Sequence, residues 1–215
     1  MSKKTVNIVD YGLGNLFSVE RAVRYAGADA VISSEPGVIS SSDYLIVPGV
    51  GAFGQGISNL KGRGLVEPIK SVASSGRPVL GICLGMQLLM TVGEEMGTHK
   101  GLDLISGKVV RFPAPADKGP HYKIPHIGWN GIYMPGHRKN WDSTILEGLK
   151  EGDSMYFVHS YVVAPDDPSH ILAETAYGGL TFCSAINENN ICGCQFHPEK
   201  SGALGLDIYR NFLKL

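Results

Sequence analysis

Gly81-Ile82-Cys83-Leu84-Gly85 places a thiol between an apolar run and a helix-like segment, with a glycine two residues to either side. That is the form of a nucleophile elbow, in which the reactive side chain rides a tight turn and the glycines remove side chains that would collide there. A helix starting behind the sulfur offers unpaired N–H groups and positive dipole character, which favour thiolate. The N–H of Leu84 follows the nucleophile and is placed to bind an oxyanion. The competing reading of Cys83 is a small apolar residue buried at a strand end, since free cysteines are often buried.

A nucleophilic thiol needs a base, and the base needs an orienting group. Gln195-Phe196-His197-Pro198-Glu199 supplies both after a strand-like run, with Pro198 stiffening the step between His197 and Glu199. Alone the tripeptide also suits a surface histidine; beside the elbow it reads as base and carboxylate. Pro48-Gly49-Val50-Gly51-Ala52-Phe53-Gly54 formally matches a dinucleotide fingerprint. That fingerprint belongs to a first strand and expects an acidic residue about 20 positions on. Ser74 and Ser75 stand there, and Gly12-Leu13-Gly14-Asn15 lacks the third glycine. No cofactor is therefore expected, and Gly49, Val50 and Gly51 read as a backbone strip whose N–H groups complete an oxyanion hole.

These groups need strands to carry them. Thr5–Val9, Ala30–Ile32, Tyr44–Val47 and Pro78–Ile82 are short apolar runs. Between them lie helical patterns, such as Leu16, Val19, Val23 and Ala26 on one face. A helix-like Met86–Val92 follows the elbow. The pattern predicts an α/β fold: an open, mostly parallel sheet with helices on both faces. From about residue 105, strand-like pieces with short connections predict antiparallel additions: Val109-Val110, Gly131–Tyr133, Tyr156–Val163, Ile171–Thr175, Phe182–Ile186 and Ile191–Phe196. Pro113–Pro125 reads as a surface loop and Leu204–Leu213 as a final helix. With no composition break or internal repeat, residues 1–215 are expected to form one domain.

The 215 residues carry 19 basic and 20 acidic side chains, net −1, which gives no clustered positive excess for nucleic acid. The apolar runs are far shorter than the roughly 20 residues of a membrane helix. Ser2-Lys3-Lys4-Thr5 leads straight into a strand with no secretory pattern. Four cysteines do not make a disulfide scaffold, so a cytoplasmic protein with reduced thiols is expected. If Asn187–Asn190 is a hairpin turn, Cys183 faces Cys194. A metal site or labile disulfide is the competing reading there, but Phe196 continues the face of Cys192 and Cys194 and marks it as core, so no metal is expected. The histidines at 99, 121, 126, 137, 159 and 170 read as loop or strand-end residues, His126 as a surface one.

The elbow with Met86-Gln87, the Pro48–Gly51 strip and His197-Pro198-Glu199 together resemble the class I (triad) glutamine amidotransferases over most of the chain. Within that family the chain looks like the glutaminase subunits of imidazole glycerol phosphate synthases. Asp10–Leu16, His126–Asn130, Tyr156–Tyr161 and Lys200-Ser201 carry that narrower likeness. Asp103 departs from it, standing where the family often has glycine. The resemblance implies a flavodoxin-like amidotransferase fold and a reaction in which Cys83 attacks L-glutamine, His197 moves the proton and Glu199 orients His197. It implies that Gln87, Ser160 and Tyr161 contact glutamine. It also implies that ammonia passes to a (β/α)8-barrel cyclase subunit bound through Asn15, Trp129 and Lys200. For Trp129 a core aromatic, and for Lys200 an ordinary solvated lysine, are the competing readings. Rival functions are a paralogous glutaminase subunit feeding another synthase, such as a sugar amidation, a free-standing γ-glutamyl hydrolase, and a silent binding module. The intact set Cys83, His197 and Glu199 argues against the last.

Overall fold

The computed structural model describes residues 3–114 and 122–215; His121 and most of the expected Pro113–Pro125 loop lie outside them. Strands Thr5–Val9 (β1), Asp29–Ser33 (β2), Tyr44–Gly49 (β3) and Val79–Cys83 (β4) alternate with helices Leu16–Tyr25 (α1), Pro36–Ser40 (α2), Phe53–Gly62 (α3) and Val66–Ser74 (α4). After the short helix Leu84–Leu88 (α5) come Met90–Gly93 (β5), His99–Lys100 (β6), Ile105–Arg111 (β7), His126–Gly131 (β8) and Ser154–His159 (β9). Tyr161–Pro165 (β10), Ile171–Tyr177 (β11), Leu180–Glu188 (β12) and Ile191–Cys194 (β13) follow, then Gly202–Phe212 (α6).

The strands β2-β1-β3-β4-β13 run parallel, in the order of flavodoxin-like sheets. The strands β12, β10 and β7 continue the sheet antiparallel to their neighbours, and β5, parallel to β7, leads to the edge strand β6. Every residue of β4 is buried, which is why its apolar run does not alternate. One face is covered by α1 and α6, whose Val19, Val23, Ile208 and Phe212 join Ile46, Leu80 and Ile82 in one apolar cluster. On the other face Phe53, Leu60, Ile69 and Val72 of α3 and α4 cluster with Leu45, Val47 and Val79. The expected fold class holds.

Five local expectations are corrected. The helix after the elbow stops at Leu88, and Met90–Gly93 is a strand, because Met90 pairs with Ile105 and Val92 with Lys108 of β7. The run Tyr156–Val163 is two strands broken at Ser160: β9 pairs with β8 in a separate two-stranded ribbon, whereas β10 joins the main sheet. That ribbon occupies His126–Gly131 rather than Gly131–Tyr133, and Tyr133 makes only an isolated bridge to Glu174. The Ile191–Phe196 piece is not simply antiparallel, since β13 lies parallel to β4 and completes the central sheet. The hairpin before it turns on Asn189 and Asn190, with Asn189 at φ 52 and Glu188 opposite Ile191. Cys194 therefore faces Ala185 rather than Cys183, which pairs with Val163 and Glu174. Asp103 adopts φ 57, the left-handed region that favours glycine, so an aspartate here carries some backbone strain. Thr91 Oγ1 donates to its carboxylate at 2.7 Å.

Candidate active site

Cys83 ends β4 with φ 54 and ψ −110, a sparsely populated backbone for a residue with a side chain. Such conformations cost on the order of 1–3 kcal/mol and persist only where the surroundings impose them. Here they are imposed by close packing. A Cβ on Gly81 would come within 2.7 Å of the Met86 backbone. A Cβ on Gly85 would strike the Val47 carbonyl oxygen, and one on Gly49 the Tyr11 hydroxyl. The Tyr11 hydroxyl in turn donates to the Pro48 carbonyl at 2.7 Å, and β3 and β4 register Gly49 beside Cys83.

His197 and Glu199 lie just beyond β13, on a single tight turn over Pro198–Lys200. The His197 ring donates from Nδ1 to Glu199 Oε1 at 2.8 Å, with both side chains almost wholly buried. The turn is braced from β9: the His197 N–H donates to the Tyr156 carbonyl at 2.9 Å. Ser201 Oγ donates to the His197 carbonyl at 2.7 Å and accepts from the Tyr156 N–H at 3.0 Å. Burial is the largest influence on His197 and lowers its pKa, but Cys83 and then Glu199 outweigh it, and the imidazole is raised to about 10. Nε2 makes no hydrogen bond of normal geometry among the described residues, although the thiol is near enough to be the main cause of the rise. A cationic imidazole is the partner that stabilises a thiolate.

Cys83 opens onto a cavity of about 240 Å³. Val50, Gly51 and Leu84 line it on the expected oxyanion side, and Gln87, Ser160 and Tyr161 on the expected substrate side. Gly49 is packed beneath this wall rather than on it. Gln87 is only 5% exposed, and its amide nitrogen donates to the Tyr161 carbonyl and to Gln195 Oε1, each at 3.1 Å. Sequence reasoning missed Glu95 and His159, which also line the cavity. Glu95 lies in the short stretch after β5, which carries no motif of its own, and its Oε2 accepts the Phe53 N–H at 2.6 Å.

Trp129 is 58% exposed, so the core reading of it is overturned. It meets Tyr156 edge-on at 6.0 Å between ring centroids, and exposed Lys200 places Nζ 5.7 Å from the same ring. Tyr156 thus gathers two of the three expected interface residues. Asn15 is exposed at the start of α1, which packs on the Pro198–Lys200 turn. His126 is a correction: it is 3% exposed, stacked 3.9 Å from Tyr177, and hydrogen-bonded through Nδ1 to His159 Nε2 at 3.0 Å. Its position at the first residue of β8, opposite His159, buries it. Cys183, Cys192 and Cys194 are buried free thiols, the first on the opposite face of the sheet from the other two. Among the described residues no group of three His, Cys, Asp or Glu could hold a metal, and no helix is long and apolar enough to cross a membrane.

Residues 7–215 match the glutamine amidotransferase class-I family, and the chain belongs to that family. It is 47% identical to imidazole glycerol phosphate synthase subunit HisH 1 of Legionella pneumophila (strain Paris), over 98% of this chain and 99% of that protein. It is 48% identical to the corresponding subunit HisH of Syntrophotalea carbinolica, over 95% of this chain and 97% of that protein. Among solved structures, a glutamine amidotransferase superposes with a TM-score of 0.72 at 17% identity, covering 97% of both chains. PurLQS from Thermotoga maritima superposes with a TM-score of 0.71 at 17% identity over 99% of both chains, and both likenesses speak to the fold.

Proposed function

We propose that this chain is the glutaminase subunit of an imidazole glycerol phosphate synthase, one domain over residues 1–215 working in the cytoplasm. Its substrate is L-glutamine and its partner a (β/α)8-barrel cyclase. Near-full-length likeness to subunits of that name supports the pathway. The observation that carries the chemistry is the strained Cys83 at the cavity, with His197 tied to Glu199 at 2.8 Å beside it.

In this reading Cys83 Sγ attacks the side-chain carbonyl carbon of glutamine. The oxyanion that forms is met by N–H groups of Leu84 and of Val50–Gly51. His197 gives its Nε2 proton to the departing nitrogen, so ammonia leaves and a glutamyl thioester remains. Water, deprotonated by His197, then releases glutamate and restores the thiol. Glu199 keeps the ring oriented through Nδ1. Ser160 and Tyr161 hold the amino-acid end of the substrate, and the Glu95 carboxylate suits its ammonium group. Trp129 and Lys200 around Tyr156, with Asn15, form the cyclase-facing surface. Half-exposed Val50 belongs to a strip whose productive orientation depends on the occupied partner, so the isolated chain is a slow glutaminase.

The test is glutamate release by the purified chain alone, with the histidine-pathway cyclase, and with cyclase plus its nucleotide ligand. Strong stimulation only in the last mixture is expected. Full activity without a partner points instead to a free-standing hydrolase, and no response to the cyclase points to a different synthase.

A further inference from the structure

In the sequence Gln195 is simply part of the run leading to His197. It is wholly buried, its backbone N–H is fixed on the Ser184 carbonyl at 2.9 Å, and its side chain reaches Cys83. Its Nε2 lies 3.7 Å from Cys83 Sγ, and its Oε1 accepts from Gln87 Nε2 at 3.1 Å. We propose that Gln195 is a further catalytic residue, donating a hydrogen bond that holds the Cys83 sulfur as thiolate, and that Gln87 is the positioning residue that keeps its amide turned that way. The proposal rests on Cys83 being the nucleophile.

The direction of each bond follows from the one before it. A backbone carbonyl only accepts, so His159 Nδ1, 3.0 Å from the Tyr161 oxygen, must carry the proton. His159 Nε2 is then an acceptor, which makes His126 Nδ1 the donor across their 3.0 Å contact. Gln87 must also present its NH2 to that Tyr161 oxygen, at 3.1 Å. Its second N–H then meets Gln195, which can answer only with its oxygen. The Gln195 NH2 is left facing sulfur. Turning either amide over would set two NH2 groups, or two oxygens, against each other inside a buried network, where an unmet polar group is costly.

The sulfur has a different partner in each protonation state. As a thiol it donates towards the Val158 carbonyl at 3.8 Å; as a thiolate it accepts from Gln195. A donor to the charged form favours that form. The chain from His126 to the sulfur also runs from the ribbon that carries exposed Trp129 to the reacting atom.

The experiment is the pH dependence of iodoacetamide alkylation at Cys83 in the full chain, with the modified peptide identified by mass. Cys183, Cys192 and Cys194 are fully buried thiols whose pKa values burial pushes up, so they do not compete. In Gln195→Leu the midpoint should rise by about one pH unit, slowing alkylation about tenfold below the midpoint. Gln195→Glu, similar in shape but with an acceptor facing sulfur, should raise it at least as far. Gln87→Leu should shift it the same way by less, and the double variant no further than Gln195→Leu, since both act through one bond. If Gln195→Leu does not fold, Gln195→Glu and Gln87→Leu decide the matter. An unmoved midpoint in the folded variants overturns the proposal. Glutamate release is measured separately, so failure of the glutaminase reading remains distinguishable from failure of this one.

Discussion

Two buried histidine sites flank Cys83, and their imidazoles are driven in opposite directions. His197 is raised to about 10, although burial alone lowers it, because the thiol and the Glu199 carboxylate both stabilise its charge. His159 is lowered to about 3, by burial first and then by His126, while His126 is lowered to about 4 by burial. Each histidine donates one ring proton to a fixed acceptor. The difference is that His197 faces the Cys83 sulfur and donates to an anion, Glu199, whereas His159 donates to the neutral Tyr161 carbonyl. One site is built to hold a proton as charge and the other to hold a neutral tautomer, so burial by itself does not decide what a histidine does.

Removing the thiol is the strongest way to break this contrast. Cys83→Ala should reduce glutamate release to background, roughly a 10⁴-fold loss or more, while cyclase binding persists. It should also lower the His197 midpoint, read by NMR of the ring protons, because the largest stabilising neighbour is gone. Loss of both activity and binding would mean that Cys83 is structural. Glu199→Gln should cost about 10²- to 10⁴-fold in kcat, the usual span for a general acid–base assembly, and bring His197 down towards its ordinary value. A His197 midpoint still near 10 would show that the carboxylate is not what separates the two sites. Ser201→Ala keeps both charges but removes the brace between the His197 carbonyl and the Tyr156 N–H. Leaving that partly buried N–H without its partner should destabilise the chain by about 1 kcal/mol, measured by urea unfolding, with a smaller loss in kcat than for Glu199→Gln.

The charged site was legible in the sequence and the neutral one was not, for a physical reason. Cys83 and His197-Pro198-Glu199 are local patterns whose chemistry follows from residue type and spacing, and the elbow glycines announce a turn. The parallel core was legible too, because buried strands such as β4 are written as unbroken apolar runs. His126 and His159 are 33 residues apart and meet only because β8 and β9 pair in their observed register. The break at Ser160 that delivers His159 to the cavity is hidden inside a continuous strand-like run. Gln87 was noticed by its place one turn beyond Cys83, but its partner Gln195 is 108 residues on and could be found only once β13 lay beside β4. The hairpin before β13 is shifted by two residues from the register its polar run implies, because the turn is shorter than Asn187–Asn190.

The smallest effect, and the sharpest test of the contrast, is the response to acid. For His197 the folded value lies above the ordinary 6.5, so its contribution to stability is complete below 6.5 and is lost as pH rises through about 10. For the pair the folded values, about 4 and 3, lie below 6.5. Their contribution is present above 6.5 and is lost as pH falls from there towards 4, where unfolding lets both rings take up protons. His126→Phe retains an aromatic ring against Tyr177 and Phe157 but removes one titrating group and the donor to His159. At pH 7.5 it should be modestly less stable than the parent, because His159 Nε2 loses its partner. Between pH 6.5 and 4.5 its melting temperature should fall less steeply than the parent's, and its KM for glutamine should rise a few-fold with kcat nearly unchanged, since the Ser160–Tyr161 wall is loosened while Cys83 and His197 are not touched. Equal acid slopes for the two proteins would mean that His126 does not titrate with unfolding, and the contrast would then rest on His159 alone.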